Sequence, residues 1–510
     1  MNELAGAPQS HESRKKETQS IQQLLAAHGI EYHHLTRVRE SSFEGEHLLK
    51  PNEAPAVSYT KMCYNHKPSV LQARLILFYL FLIVGAIQGY QSYITLELQT
   101  KGATYSDQSM FSFAAYPYIF KIIFAPFLDT YFIPKLGKSK TYLVIDGFIL
   151  AFLHLVLASY IEDLILPTNV TLLTIIFFFL NCVTVVFQIA GEMWIVKIFD
   201  DDSEKGKGSV LLDLGGSAGM LLTYNFFVPL NNPKWISSHF YETDTPILTN
   251  STLLIIVSFL IFIFSAIVLI LIAEKVIPDD SRPKSITRIF KILPRFFTYK
   301  NMRRYLIFIL ITVAFRNFFK DPLSLKLIDN GISKNLLVDI NTLCIPIGFV
   351  GSCLVISLMR KGNIMKGYFI FLLVIGFLGF FSLSIYLDLV SNHNISRTVV
   401  LLIIASIIDG FVYPTTFVLG FINTVTPEEV GNTFITFIMC WQNAAGIIPG
   451  TIGLKLTATS LNFPFMVALS FTIHTIAAIL LYPTCLHFDT LGKEHFALHR
   501  PTDPSSELEN

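Results

Sequence analysis

The chain predicts an all-α polytopic membrane protein, with twelve transmembrane helices arranged as two six-helix lobes. Three observations predict it. Hydrophobic residues make up 52% of the 510 positions and charged residues only 15%, far below the quarter usual in soluble domains. Apolar segments able to cross about 30 Å of hydrocarbon, roughly 20 residues each, recur along the chain. A basic stretch, 275–303, divides these segments six and six.

The elements follow in order. Residues 1–73 are polar and mixed in charge, which reads as a disordered cytosolic tail. No cleavable signal pattern opens the chain, so the first span is expected to act as the targeting signal. The N-lobe, 74–274, holds spans near 75–97, 106–128, 141–161, 172–198, 207–230 and 251–274. The linker 275–303 carries eight Lys and Arg residues and is read as cytosolic. The C-lobe, 304–484, holds spans near 304–328, 336–359, 366–389, 398–424, 429–456 and 462–484. A cytosolic tail, 485–510, ends the chain.

The distribution of positive charge sets the expected orientation. Lys and Arg gather in the N-terminal arm, in "PKLGKSK" (134–140), in the linker and in "MRKGNIMK" (359–366). Both termini are therefore expected on the cytosolic side. The N-x-S/T triplets at Asn169, Asn250 and Asn394 all fall in loops placed opposite, where glycosylation acceptors function. The six cysteines suggest neither a disulfide framework nor a metal site, and no cofactor or nucleic-acid partner is expected.

The two lobes resemble each other. "TLELQTKG" (95–102) aligns with "SLKLIDNG" (324–331) at an offset of about 230 residues, as parallel repeats would. At that offset Gln88 and Gln91 meet Asn317 and Lys320, and Lys138 falls beside Lys366. Two six-span repeats around a midplane site form the layout of the major facilitator superfamily.

Polar groups inside the spans carry the functional expectation, because each is costly in hydrocarbon. The N-lobe has Gln88, Gln91, Lys121, Gln188, Glu192 and Asp213. The C-lobe has Arg316, Lys320, Asp321, Lys326, Asp409, Gln442 and Asn443. Arg316 and Lys320 stand four apart on one helical face. With Lys121 they would form an electropositive cavity suited to a multiply anionic cargo, phosphates above all. Tyr116, Gln88 and Gln91 would line this cavity, with Gln442 and Asn443 on cargo polar groups. Lys121 is expected to point into it, hydrated when the site is empty. A structural pair of Lys121 with Glu192 or Asp213 stays open as the other reading. Asp321 and Lys326 balance charge, pair with each other or reach the interface. Asp129, Lys138 and Lys140 are expected to form a gating turn. His154 and His474, alone among apolar residues, read as core histidines. "GGSAGM" (215–220) and "AAGIIPG" (444–450) mark close helix contacts in corresponding spans.

The run "QTKGATYSDQSMFSFAAYPYIFKIIFAPFLD" (99–129) resembles the signature of the acetyl-coenzyme A transporter family, a branch of that superfamily. Gln99, Lys101, Tyr105, Asp107, Gln108, Phe111, Ser112, Pro117, Lys121, Ala125, Pro126 and Asp129 carry the resemblance. "QIAGEMWIV", "LGGSAGM", "DPLSLKL" and "QNAAGIIPG" extend it more weakly; Gln188 and Glu192 stand where the family has aspartates, and Gly216 where it has glutamine. The resemblance implies an alternating-access carrier of acetyl-CoA from the cytosol into the endoplasmic reticulum lumen. A carrier of another organic anion stays open. A membrane-embedded acetyltransferase would need a catalytic histidine with a polar partner, which "LHLV" and "TIHT" do not supply.

Overall fold

The computed structural model describes residues 68–198, 211–272 except 213, 300–340 except 335, 364–411, 431–459 and 462–491, with isolated positions at 294, 297, 298, 347, 351, 418, 421 and 422. Among the described residues every span is helical, and eight helices are long and apolar enough to cross a membrane. The other four expected spans, 207–230, 304–328, 336–359 and 398–424, are broken or lie partly outside the described residues.

Helix α1, Val70–Thr100, opens with a capping box in which the Ser69 and Gln72 side chains each satisfy the other's backbone N–H. At 31 residues it spans about 46 Å and so overreaches the hydrocarbon at both ends. The second span is interrupted: α2 (Tyr105–Ser112) passes into a 3-10 turn, Phe113–Tyr118, before α3 (Lys121–Thr130). Pro117 lies in that turn, where its missing N–H is tolerated.

Helix α4 (Lys138–Leu164) leads into α5 (Val170–Ile198) and packs along α8 (Asn250–Leu271) through serines seven residues apart. Ser251 donates to the Ala158 carbonyl at 2.6 Å and Ser258 to that of Ala151 at 2.7 Å; Ser265 reaches Leu143 at 3.4 Å. Where water is absent, small hydroxyl residues at one heptad position let two backbones approach and still satisfy every polar group.

The stretch "GGSAGM" behaves as its composition suggests. It precedes a π-helical turn, Leu221–Phe226, followed by α6 (Phe227–Leu230) and α7 (Pro233–His239). Here Gly219 lies so close to α1 that a Cβ on it would stand 2.0 Å from the Leu82 carbonyl oxygen. Because that neighbour is backbone and cannot rotate aside, Gly219→Val is expected to prevent N-lobe packing. Loss of the monodisperse detergent-solubilised species would show it.

The expected seventh span is two helices, α9 (Lys300–Asn317) and α10 (Lys320–Asp329). Helices α11 (Ile364–Asn392), α12 (Ile395–Gly410), α13 (Gly431–Thr457), α14 (Phe463–Leu480) and α15 (Tyr482–Asp489) complete the described elements. The break after Asn317 faces α13, where a Cβ on Gly453 would fall 1.5 Å from the Phe318 carbonyl oxygen. Asp489 closes this lobe by accepting from the Met365 and Lys366 N–H groups at 2.8 and 2.9 Å, an anionic cap on the start of α11.

The repeat read from "TLELQTKG" and "SLKLIDNG" is repeated in the backbone. Helix α1 ends with Lys101, Gly102 and Ala103 donating to Glu97, Gln99 and Leu98; α10 ends with Asn330, Gly331 and Ile332 donating to Lys326, Ile328 and Leu327. Gly102 and Gly331 sit at φ +86 and +99, a left-handed helix exit that favours glycine. A Cβ at Gly331 meets nothing within 4 Å, so Gly331→Ala isolates backbone strain. It is expected to cost about 1 kcal/mol, read as a lowered midpoint of thermal unfolding in detergent.

Candidate functional site

Both helix breaks place a lysine at a helix start: Lys121 opens α3 and Lys320 opens α10. The positive end of a helix dipole disfavours a cation there, so each lysine needs an anion nearby. The two lobes meet this need differently.

Lys121 is 1% exposed, and its Nζ donates to both Glu192 oxygens at 2.5 and 2.6 Å. Gln188, one turn earlier on α5, donates Nε2 to Glu192 Oε1 at 2.9 Å. The ammonium is therefore sealed into an ion pair, which corrects the expectation of a hydrated lysine in the cavity. Glu192 on α5 lies against the break that orients Lys121, and a bidentate carboxylate satisfies the charge more fully than loosely held water. Next to the pair, the Ile122 N–H meets Cys440 Sγ of α13 at 3.1 Å, so this part of the N-lobe touches the C-lobe.

Arg316, near the end of α9, differs. Its Nε is buried without a hydrogen bond, and no carboxylate among the described residues lies within ion-pair distance. Tyr368, Asp409 and His474 are its electrostatic neighbours. Tyr368 and Thr312 share a hydrogen bond of 3.1 Å, and His474 Nε2 meets the Leu372 carbonyl at 3.1 Å. His154 likewise meets one backbone carbonyl, that of Leu150, at 2.8 Å, so both histidines are core residues, as expected.

Lys320 and Asp321 are exposed and adjacent, and Asp321 also acts on Tyr224 of the N-lobe. Lys326 does not pair with Asp321. Its Nζ lies 3.9 Å from Asp329, 4.7 Å from the Tyr105 ring centroid and 5.8 Å from that of Phe463.

The polar lining is partly assembled. Gln91 Oε1 accepts from Asn181 Nδ2 at 2.8 Å, and the same amide donates to the Ala114 carbonyl at 2.7 Å. Half-buried Gln88 stands beside the buried Tyr118 hydroxyl. Tyr116 packs on Phe113 with ring centroids 4.7 Å apart. Asn443 Nδ2 crosses between lobes to the Tyr118 carbonyl at 3.2 Å, and Gln442 is half-buried beside it.

Of the expected gating turn, Lys140 is buried, with its Nζ 2.6 Å from the Ile272 carbonyl at the end of α8, and Lys138 is half-buried. The Asp129 side chain and all of Asp213 lie outside the described residues.

The three acceptor asparagines separate. Asn394 is exposed and caps α12 through the Arg397 N–H at 3.0 Å. Asn169 is half-buried and donates to the Asp163 carbonyl at 2.8 Å. Asn250 is 3% exposed; its Nδ2 donates to Glu162 at 3.1 Å and its Oδ1 accepts from Tyr90 at 3.5 Å. A glycan on Nδ2 is incompatible with that packing, so Asn250 is corrected to a packing residue.

Some polar residues escaped the sequence reading. Asn181, in the apolar run "FFFLNCV", and Asp146, in "LVIDGF", are single polar groups with no motif around them; the Asp146 Oδ2 is buried without a partner. Glu97, Asp329 and Lys334 had a signal, since they lie in or beside the repeated segments.

Residues 74–280 match the family model described as acetyl-coenzyme A transporter 1. A protein of Schizosaccharomyces pombe described only as uncharacterized is 25% identical over 243 residues, which cover 46% of this chain and 44% of that protein. The chain thus spans under half the length of that relative. Among solved structures, the Escherichia coli fucose:proton symporter aligns with a TM-score of 0.52 at 16% identity, covering 81% of this chain and 99% of that one. An auto-inhibited peptide transporter of the POT family aligns at 0.53 and 11%, covering 81% and 97%. The inward-open xylose transporter of E. coli aligns at 0.50 and 12%, covering 81% and 96%. These likenesses show a major facilitator-like fold.

Proposed function

We infer that this chain, whose residues 74–280 match the acetyl-coenzyme A transporter family model and whose fold is major facilitator-like, is a member of that family and carries acetyl-CoA across a membrane by alternating access. In this reading twelve spans form two lobes, and both termini and the 275–303 linker face the cytosol. Cargo passes into the endoplasmic reticulum lumen. No bond of the cargo is made or broken.

One observation carries the assignment of the site: the Arg316 Nε lies inside the spans without a hydrogen bond, and no carboxylate among the described residues is within ion-pair distance of it. A buried charge persists there only if water or a ligand completes it. A cargo phosphate does so through paired N–H···O bonds, which the planar fork favours. Lys320, exposed one turn away, adds a second cation for a second phosphate. Lys121 enters as a reserve charge: a phosphate at its pair must compete with Glu192, which sets a threshold that only a multiply charged anion meets. Tyr116, Gln88, Gln91, Gln442 and Asn443 supply ring faces and amides for the neutral arm and base.

Binding to the purified, detergent-solubilised protein tests the reading. Acetyl-CoA is expected to raise thermal stability, with coenzyme A second and a dephosphorylated analogue without effect. Equal stabilisation by unrelated dicarboxylates would point to another organic anion. The lumenal placement predicts a glycosidase-sensitive mass shift that Asn394→Gln reduces and Asn250→Gln leaves unchanged in a glycosylating host.

A further inference from the structure

The repeated segments do more than mirror each other. Glu97 on α1 and Lys326 on α10 occupy equal repeat positions with opposite charge, and Tyr105 and Lys334 occupy equal positions at the starts of the following spans. Each following span reaches across to the opposite lobe. The Tyr105 hydroxyl donates to Asp329 at the end of α10, and the Lys326 ammonium lies 4.7 Å over the Tyr105 ring. In the mirrored half, Lys334 pairs with Glu97 at the end of α1 and lies 5.4 Å from the Tyr93 ring centroid. Each crossing thus joins a carboxylate at a helix end to the next span of the other lobe and sets a lysine over a tyrosine ring.

Supporting bonds surround the two crossings. Gln99 Nε2 donates to Asp329 at 2.7 Å and is itself held by Gln108 at 2.9 Å. Lys455 reaches Ser106 at 2.8 Å, and Ser109 meets the Thr451 carbonyl at 3.1 Å. All these residues lie towards the end of the bundle opposite the start of α1. The Glu97 and Lys334 side chains are only 14% and 16% exposed, so this pair is held away from bulk water and is more strongly coupled than a surface bridge.

We propose that these two crossings are a double latch that closes the bundle at the end opposite the start of α1, and that both must part for cargo to pass there. The proposal rests on the carrier reading above. Closed, Glu97 meets Lys334 across the seam, and Asp329, close to Lys326 within α10, holds Tyr105 across it. Open, Glu97 parts from Lys334 and Tyr105 from Asp329, and hydration in a water-filled mouth replaces the lost contacts. The twofold likeness makes the latch cooperative, since a rocking motion that strains one crossing strains the other equally.

The test reads lobe separation without cargo. Spectroscopic labels are introduced as non-natural amino acids at exposed Thr168, in the turn between α4 and α5, and Asn392, the last residue of α11, both at this face. The variant Glu97→Gln with Asp329→Asn is expected to add a longer-distance population that the parent lacks. The swap Glu97→Lys with Lys334→Glu is expected to return the parent distance, which a merely structural effect of substitution would not. If the neutralised variant does not fold, Tyr105→Phe, which removes one hydroxyl, is expected to show a smaller shift in the same direction. Unchanged distances in the folded variants overturn the latch. Uptake into vesicles is measured on the parent separately: a distance shift in the variants with no acetyl-CoA uptake by the parent supports the latch and overturns the carrier reading instead.

Discussion

Arg316→Ala is expected to weaken acetyl-CoA binding by about 30-fold or more, the equivalent of about 2 kcal/mol, while leaving thermal stability of the empty protein unchanged or raised. The direction of the stability change matters most. A guanidinium whose Nε has no partner contributes nothing to the fold through that atom, so its removal relieves a desolvated charge. Arg316→Lys keeps the charge but loses the planar fork, and is expected to fall between parent and alanine in affinity. A fall in stability with unchanged cargo affinity would make Arg316 a structural residue. Calorimetric binding and thermal unfolding on the same preparations separate the outcomes.

The second large effect belongs to Lys121. Lys121→Gln leaves the Glu192 carboxylate facing a neutral amide where it now accepts two bonds of 2.5 and 2.6 Å. Removing one partner of a buried pair typically costs about 3–5 kcal/mol; Glu192 keeps 17% side-chain exposure, which places the expectation at about 3 kcal/mol or below. The double variant Lys121→Gln with Glu192→Gln is expected to recover most of that stability, because two amides of similar shape can bond each other and Gln188. Transport then divides the two roles. A stable double variant that carries cargo normally shows that the pair serves the fold alone; a stable but inactive one shows that cargo uses the ammonium.

Much of the architecture was legible because the bilayer restricts the solutions. Length and apolarity located eight of the twelve expected spans as long apolar helices, and the repeat around Gly102 and Gly331 appeared as the same left-handed helix exit at both places. The glycine run at 215–220 announced a close backbone contact, and Gly219 makes one with α1. The cations were visible as the costliest residues in their surroundings. Their partners were visible only as alternatives, Glu192 or Asp213 for Lys121, because the choice depends on helix rotation and on breaks that leave no simple periodic trace. Lys121 points to Glu192 because the 3-10 turn around Pro117 resets the helix phase between Ser112 and Lys121. The cavity reading of that lysine therefore gives way to the pair with Glu192, while no carboxylate among the described residues lies within ion-pair distance of Arg316. Asn250 shows the same limit: its triplet marks it as an acceptor, and only the packing of α8 against Glu162 and Tyr90 shows the amide to be occupied.

The central claim is that Arg316, with no carboxylate among the described residues within ion-pair distance, receives the phosphates of acetyl-CoA during transport. The most direct measurement is uptake of labelled acetyl-CoA into vesicles holding the purified protein, with parent and Arg316→Ala proteins at equal content and confirmed folding. The account predicts saturable uptake by the parent, suppressed by excess unlabelled acetyl-CoA and not by a dephosphorylated analogue, and at least a tenfold loss of uptake with Arg316→Ala at low cargo concentration. Parent-level uptake by the folded Arg316→Ala protein, or parent uptake equally suppressed by the dephosphorylated analogue, would contradict it.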